Sequence, residues 1–408
     1  MRERKDSGVE WIGEIPKEWK ICRLKNYAYI MNGADFKDIQ DDNGDYPVIG
    51  SGGEFDRATK YLYDGESVLL GRKGTIDKPR YINGTFWTVD TMYYTKIKDI
   101  GIAKYLYYLC TQIQFDYYQY GSAVPSMTQR DLNSVVFPLP EIVEQENIVN
   151  YLDSKCSKID EIIEKQQAII EKLKEYKISI ITEAVTSGIN PDVEMKDSGS
   201  AWFGDIPTHW ECVVSKFVFE KVSDINHFMP ESVDSGYPYL MIGDLRGRVS
   251  DIDFKKCKKI SKEDFDSLKQ KMKSKKGDVI FARYATIGTV CYVDIDVDFL
   301  VSYACVTVRP NKKLYGEYLY YYFKSCAFRE NVKQFINSNT QENVGIEALC
   351  RTKITLPPYK EQKLIVDYLN KKCKNISIRI EMKRQLIDKL QEYKKSLIYE
   401  VVTGKKEV

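Results

Sequence analysis

No Cys-x-x-Cys pair occurs among the ten cysteines, and His209 and His227 are the only imidazoles. The ligand spacing of a structural zinc site is therefore missing. No run of about 18 apolar residues occurs, so no membrane span is expected. The N-terminus, MRERKDSGVEWIG, carries charge but no apolar segment of leader length, so a cytoplasmic location with reduced thiols is expected. Excess charge is also lacking: 61 Lys and Arg stand against 59 Asp and Glu, a net +2 with pI near 7.8. Any nucleic-acid surface must then be local. No Gly-rich cofactor loop follows a strand. GRKGT at residues 71–75 lacks the Gly-x-x-x-x-Gly-Lys-Ser/Thr spacing of a phosphate-binding loop. The expectation is a chain without a catalytic site, metal or directly bound cofactor.

The 408 residues suffice for two or more domains, and 43% hydrophobic residues can supply a core to each. Self-comparison shows that the chain is written twice. Asp6-Ser7-Gly8 through Trp11, Gly13, Ile15, Pro16 and Trp19 returns as Asp197-Ser198-Gly199 through Trp202, Gly204, Ile206, Pro207 and Trp210. LLGRKGTI around Arg72 matches IFARYATI around Arg283. The longest match joins Leu139-Pro140 through Thr186 to Leu356-Pro357 through Thr403. It shares Glu144-Gln145 with Glu361-Gln362, Tyr151-Leu152 with Tyr368-Leu369, and Cys156 with Cys373. Each half is thus a short N-terminal segment, a globular domain and a long tail. Similarity fades between the flanks, as in a constant frame holding two different inserts. The segments expected are 1–140, 141–187, 188–357 and 358–408.

Each tail carries a heptad seam. In the first it runs through Val149, Leu152, Cys156, Ile159, Ile163, Ile170, Leu173, Ile180 and Ala184, with Gln166 and Lys177 completing the spacing. In the second it runs through Val366, Leu369, Cys373, Ile376, Ile380, Ile387, Leu390, Leu397 and Val401, interrupted by Lys383 and Lys394. Neither Gly nor Pro breaks the runs, so rods of roughly 60 Å follow. The first tail is acidic and the second basic. Opposite charge favours pairing with each other over pairing with copies of themselves. An intramolecular antiparallel coiled coil is predicted; the alternative lays each rod along a protein partner.

The combination of DSGVEWIGEIPKEW, a globular domain, LP-x-x-x-EQ-x-x-I-x-x-YL and a long helix, all repeated, resembles the specificity subunit of Type I restriction-modification systems. The resemblance covers essentially the whole chain. Departures are small: Ala285 stands where the first half has Gly74, and Gly288 where it has Asp77. The resemblance implies an α/β (α+β) fold, with two mixed α/β target recognition domains and a pseudo-twofold repeat. Each lobe would read one half of a bipartite site on double-stranded DNA. The helices would set the unread spacer and hold two methyltransferase subunits, and restriction subunits would join to cut. S-adenosylmethionine, ATP and magnesium would belong to those partners.

Three segments are candidate DNA contacts. Ser51, Gly52 and Gly53 lie in IGSGGEF, and Arg72, Lys73 and Thr75 in GRKGT; glycine turns let backbone approach phosphate, and arginine can grip a guanine edge. Arg283, Tyr284 and Thr286 are the counterparts in the second lobe. The polar stretch before each tail offers Ser122, Gln129 and Arg130, then Asn339, Thr340 and Gln341. Plain turns, linkers and caps are the alternative for each. Lys255, Lys256, Lys258 and Lys259, with five lysines between Lys269 and Lys276, suit phosphate neutralisation or a solvated face. The Trp11/Trp19 and Trp202/Trp210 pairs read as packing anchors. LPPY at residues 356–359 lacks the polar first residue of the amino-methyltransferase motif, and Glu381-Met382-Lys383 sits on the second rod. The rival function is a coiled-coil scaffold without DNA contact; a self-contained methyltransferase would need the missing cofactor loop.

Overall fold

The computed structural model describes residues 2–115, 125–283, 289–335 and 344–408. Its contacts form two compact units, Met1–Gln167 with Arg384–Val408, and Ala168–Lys383. The division passes through both long helices rather than at their ends, where the sequence segmentation was drawn. Each unit therefore holds one globular lobe and a portion of each helix.

The long helices are Ile142–Thr186 and Tyr359–Val402. At about 1.5 Å per residue each measures roughly 65 Å. The expected seam is the buried one: Leu152, Ile159, Ile163 and Ile170 pack on the first helix, and Leu369, Ile376, Ile380 and Ile387 on the second. Leu173 and Leu390 are half-buried. In the first unit Lys394 Nζ meets Asp160 Oδ2 at 2.6 Å. In the second, Lys177 Nζ donates to Ser377 Oγ at 2.8 Å. Moving forward from Asp160 to Lys177 thus runs backward from Lys394 to Ser377. The helices pair antiparallel, as predicted.

The first lobe is built on a six-stranded sheet. Its order is Ala28–Asn32, Met92–Ile97, Tyr63–Gly71, Arg80–Thr88, Tyr46–Gly50 and Gly53–Ala58. All neighbours are antiparallel except Tyr46–Gly50 against Arg80–Thr88. The consecutive apolar residues Val68, Leu69 and Leu70 fit a strand with both faces covered, and all three are buried. The second lobe divides its strands differently. A four-stranded sheet holds Phe219–Ser223, Cys305–Pro310, Val279–Ala282 and Val290–Tyr292, and a three-stranded one holds Lys258–Ile260, Tyr237–Leu240 and Leu300–Val301. Unlike inserts in a shared frame are what the fading similarity predicts.

The frame itself repeats contact for contact, with small changes of partner atom. Each Asp-Ser-Gly opens a hairpin in which the aspartate accepts the glycine N–H at 2.9 Å, Gly8 from Asp6 and Gly199 from Asp197. Both glycines have positive φ, the conformation such a turn asks of them. The repeated Glu-Gln explains itself next. Glu144 Oε2 accepts the Trp19 indole N–H at 2.8 Å, and Glu361 Oε1 accepts that of Trp210 at 3.1 Å. Trp19 and Trp210 are anchors, buried at 2% and 0% exposure, whereas Trp11 is half-buried and Trp202 is exposed, so the burial expected of each pair falls on its second member. Gln145 Nε2 donates to the carbonyls of Pro140 and Ile100, and its Oε1 accepts Tyr27 Oη–H at 2.6 Å. Gln362 does the same with Pro357, Lys313 and the Tyr315 N–H. Each glutamine is fully buried and ties a helix start to its lobe. Gln145→Leu is expected to cost about 1–3 kcal/mol, since three buried polar groups lose a partner. A urea unfolding midpoint measures it; an unchanged midpoint would show the contacts to be dispensable.

Candidate nucleic-acid interface

In the first lobe two glycine turns meet. One joins Tyr46–Gly50 to Gly53–Ala58, and the other follows Tyr63–Gly71. Gly74 has φ +82°, and a Cβ there would lie 3.5 Å from Ser51 Oγ. Gly53 has φ +122°, and a Cβ there would lie 3.3 Å from the Arg80 guanidinium. Arg80 Nη2 donates to the Gly52 carbonyl at 3.0 Å. Its Nε is buried with no hydrogen-bond partner among the described residues. Arg80 escaped the sequence reading; its sole signal there was a cation shortly after GRKGT.

The backbone of Arg72 is pinned. Its N–H and that of Lys73 donate to the Thr91 carbonyl, and its carbonyl accepts the Met127 N–H at 3.1 Å. Gly74 N–H donates to the Pro125 carbonyl at 2.9 Å, and Lys73 bridges Ser126. All three candidate segments are thus brought together, the second and third through their backbones. The Arg72 side chain is half-buried, its Cζ 6.0 Å from the Tyr93 ring centroid and its Nη1 3.3 Å from the Asp90 carbonyl. Burial pushes the Tyr93 phenol up, against the pull of Arg72. Neither Arg72 nor Lys73 forms a salt bridge among the described residues, and Lys73 is exposed, with Thr75 half-buried beside it. Ser51, Gly52, Arg72, Lys73, Thr75 and Arg80 therefore form one cationic, hydroxyl-bearing surface.

The third segment contributes less. Gln129 turns inward and its Nε2 donates to the Ile30 carbonyl. Thr128 caps the helix Gln129–Ser134 through Asp131, and Arg130 is exposed. Ser122 lies outside the described residues.

The second lobe uses the same arginine differently. Arg283 Nη1 pairs with Asp224 Oδ2 at 2.7 Å, with side-chain exposures of 11% and 9%. Its Nε donates to the Val344 carbonyl at 3.2 Å, and Lys271 also meets Asp224, at 2.6 Å. The Arg283 side chain is therefore mostly enclosed by this ion pair, where an open cation was expected. The reason is one residue: Asp224 follows the strand Phe219–Ser223, whereas Gly33 follows Ala28–Asn32 in the first lobe. The convergence of segments is kept, because Val344 N–H donates to the Arg283 carbonyl at 3.2 Å, as Met127 does to Arg72. Tyr284, Thr286, Asn339, Thr340 and Gln341 lie outside the described residues.

Four of the nine clustered lysines meet a carboxylate among the described residues. Lys269 pairs with Asp266, Lys273 with Asp298, and Lys256 with Asp253 at 3.7 Å. Lys258 and Lys259 donate to the carbonyls of Pro230 and Asp234. As a group they make a weaker phosphate surface than their number suggests.

The profile of the Type I restriction modification DNA specificity domain matches residues 16–175 and again 222–392. The chain is 23% identical to the Type I restriction enzyme MjaVIII specificity subunit of Methanocaldococcus jannaschii, over 96% of this chain and 93% of that one. It is 22% identical to the Type I restriction enzyme EcoKI specificity subunit of Escherichia coli, over 60% of this chain and 52% of that one. A solved chain from work on the assembly and conformational transition of a type I restriction-modification system shares the fold, with TM-score 0.68 and 13% identity, covering 96% of this chain and 99% of that one.

Proposed function

Since the chain belongs to the Type I restriction-modification DNA specificity family, we propose that each of its lobes binds one half of a bipartite DNA site. One observation carries this reading. Two unlike lobes use one frame to draw the turn after a central strand and the segment before the long helix together, through the same backbone hydrogen bond. A frame conserved around variable loops suits two readers of different sequences. In the first lobe, Lys73 and the glycine turns would hold phosphate, while Arg72 and Arg80 would reach base edges. The paired helices would set the length of the unread spacer. Methylation mapping of host DNA, with and without this gene, tests the reading. It should return one bipartite motif; a contiguous motif, or none, would count against it.

The helices also carry a surface for two copies of one partner. Ile169 and Tyr176 are exposed one heptad apart beside the seam in the second unit, and their repeat counterparts Leu386 and Tyr393 are exposed in the first. Equivalent apolar patches, one per unit, support docking of two methyltransferase subunits, which would bring S-adenosylmethionine; ATP and magnesium would come with restriction subunits. Tyr176→Glu with Ile169→Glu is expected to leave one methyltransferase subunit bound instead of two. Native mass spectrometry of the complex reads the stoichiometry, and a count of two would remove these residues from the interface.

A further inference from the structure

The repeat exposes a place where one half has kept its counter-ion and the other has not. Leu139 to Thr186 and Leu356 to Thr403 align without a gap, so Lys394 corresponds to Lys177 and Asp160 to Ser377. In the first unit Lys394 Nζ lies 2.7 and 2.6 Å from the two oxygens of Asp160. In the second, Lys177 Nζ meets the neutral Ser377 Oγ at 2.8 Å and forms no salt bridge among the described residues.

In the first unit Thr111 lines the same cavity as Asp160 and Lys394, and at the equivalent position of the second unit stands a second cation. The lobe helices Ala103–Cys110 and Gly316–Lys324 correspond through two tyrosine pairs. Tyr105 Oη–H donates to the Pro138 carbonyl, and Tyr318 bonds Thr355 in the equivalent strand. Tyr108 donates to Asp153 on the first long helix, and Tyr321 to Asn370 on the second. This correspondence sets Lys324 where the first unit has Thr111. Lys324 Nζ, like Lys177, meets a hydroxyl, donating to Tyr320 Oη at 2.8 Å. Among the described residues no carboxylate forms a salt bridge with Lys177, Lys324 or the nearby Arg329. Burial pulls both lysines down, with repulsion from Lys324 adding to it at Lys177 and from Arg329 at Lys324. Cys373 beside them supplies no charge, since burial pushes its thiol up.

We propose that Lys177, Lys324 and Ser377 form a binding site for a small oxyanion, a phosphate or a carboxylate, that takes the place of the missing Asp160 counterpart. Two part-buried ammonium groups without a counter-ion repel each other and are poorly solvated. One oxyanion accepts hydrogen bonds from both, and Ser377, which accepts from Lys177, still has its own hydroxyl hydrogen to donate.

Thermal melting of the full chain in inorganic phosphate, against chloride at equal ionic strength, tests the site. Wild type should show a saturable rise in Tm with phosphate beyond that in chloride. Ser377→Asp restores the internal carboxylate, so it should melt higher in chloride and lose the phosphate response. Lys324→Met should weaken the apparent phosphate affinity at least tenfold without needing the new carboxylate to fit. A wild-type response no larger than in chloride, or one left intact by both substitutions, would overturn the proposal. Repeating the titration with methyltransferase subunits bound separates two sources. A response that persists marks a free anion as the occupant, and one that disappears marks a carboxylate of the partner.

Discussion

Arg283→Ala is expected to destabilise the second lobe by about 3–5 kcal/mol, the cost of breaking a buried ion pair from one side. Arg283 and Asp224 are 11% and 9% exposed, so solvent screens the pair little. Lys271 stays beside Asp224, but its side chain is 43% exposed and compensates only in part. Urea unfolding of the full chain measures the loss. Arg283→Met combined with Asp224→Leu should recover much of it, because an apolar pair leaves no buried charge behind. If Arg283→Ala unfolds at the wild-type midpoint yet loses binding to one half-site, the arginine acts on DNA after all.

Arg72→Ala is expected to behave in the opposite way. Its side chain rests on the Tyr93 face and one carbonyl, with no carboxylate among the described residues, so stability should change by less than about 1 kcal/mol. Binding of the assembled complex to its site should fall roughly 5- to 150-fold, the range of one lost bidentate base contact at about 1–3 kcal/mol. Duplexes with either half scrambled decide the assignment. The variant should lose discrimination at the half read by the first lobe and keep it at the other. Equal weakening on every duplex, with a shallower salt dependence, would make Arg72 a phosphate contact.

These two arginines show where sequence reading stops. GRKGTI and IFARYATI align well, and the alignment correctly puts both at the end of a central strand beside the segment that precedes the long helix. It gives no hint that one arginine is enclosed. That depends on Asp224 against Gly33, residues distant in sequence and outside any repeated motif. Arg80 was missed for a related reason. Its guanidinium becomes part of the surface only because the Gly52 carbonyl, on another strand pair, folds over it. Gln129 has the right chemistry to read adenine, but the Ile30 carbonyl captures it. For the lysine clusters, phosphate binding and a solvated face are both open in the sequence, and only part of the pairing is local: Asp253 and Asp266 lie three residues from their lysines, whereas Asp224 and Asp298 come from other segments.

Residue pattern was enough for the repeat, the two long helices and the anchoring motifs, and it favoured the pairing of the helices with each other. Those features rest on periodicity and on residues whose partners recur at the same place in both halves. Tertiary structure alone decided which parts of each helix join which lobe, which cations remain free and which are neutralised. Such outcomes depend on contacts between segments far apart in the chain, and a one-dimensional pattern does not encode the partner that a charged group will meet.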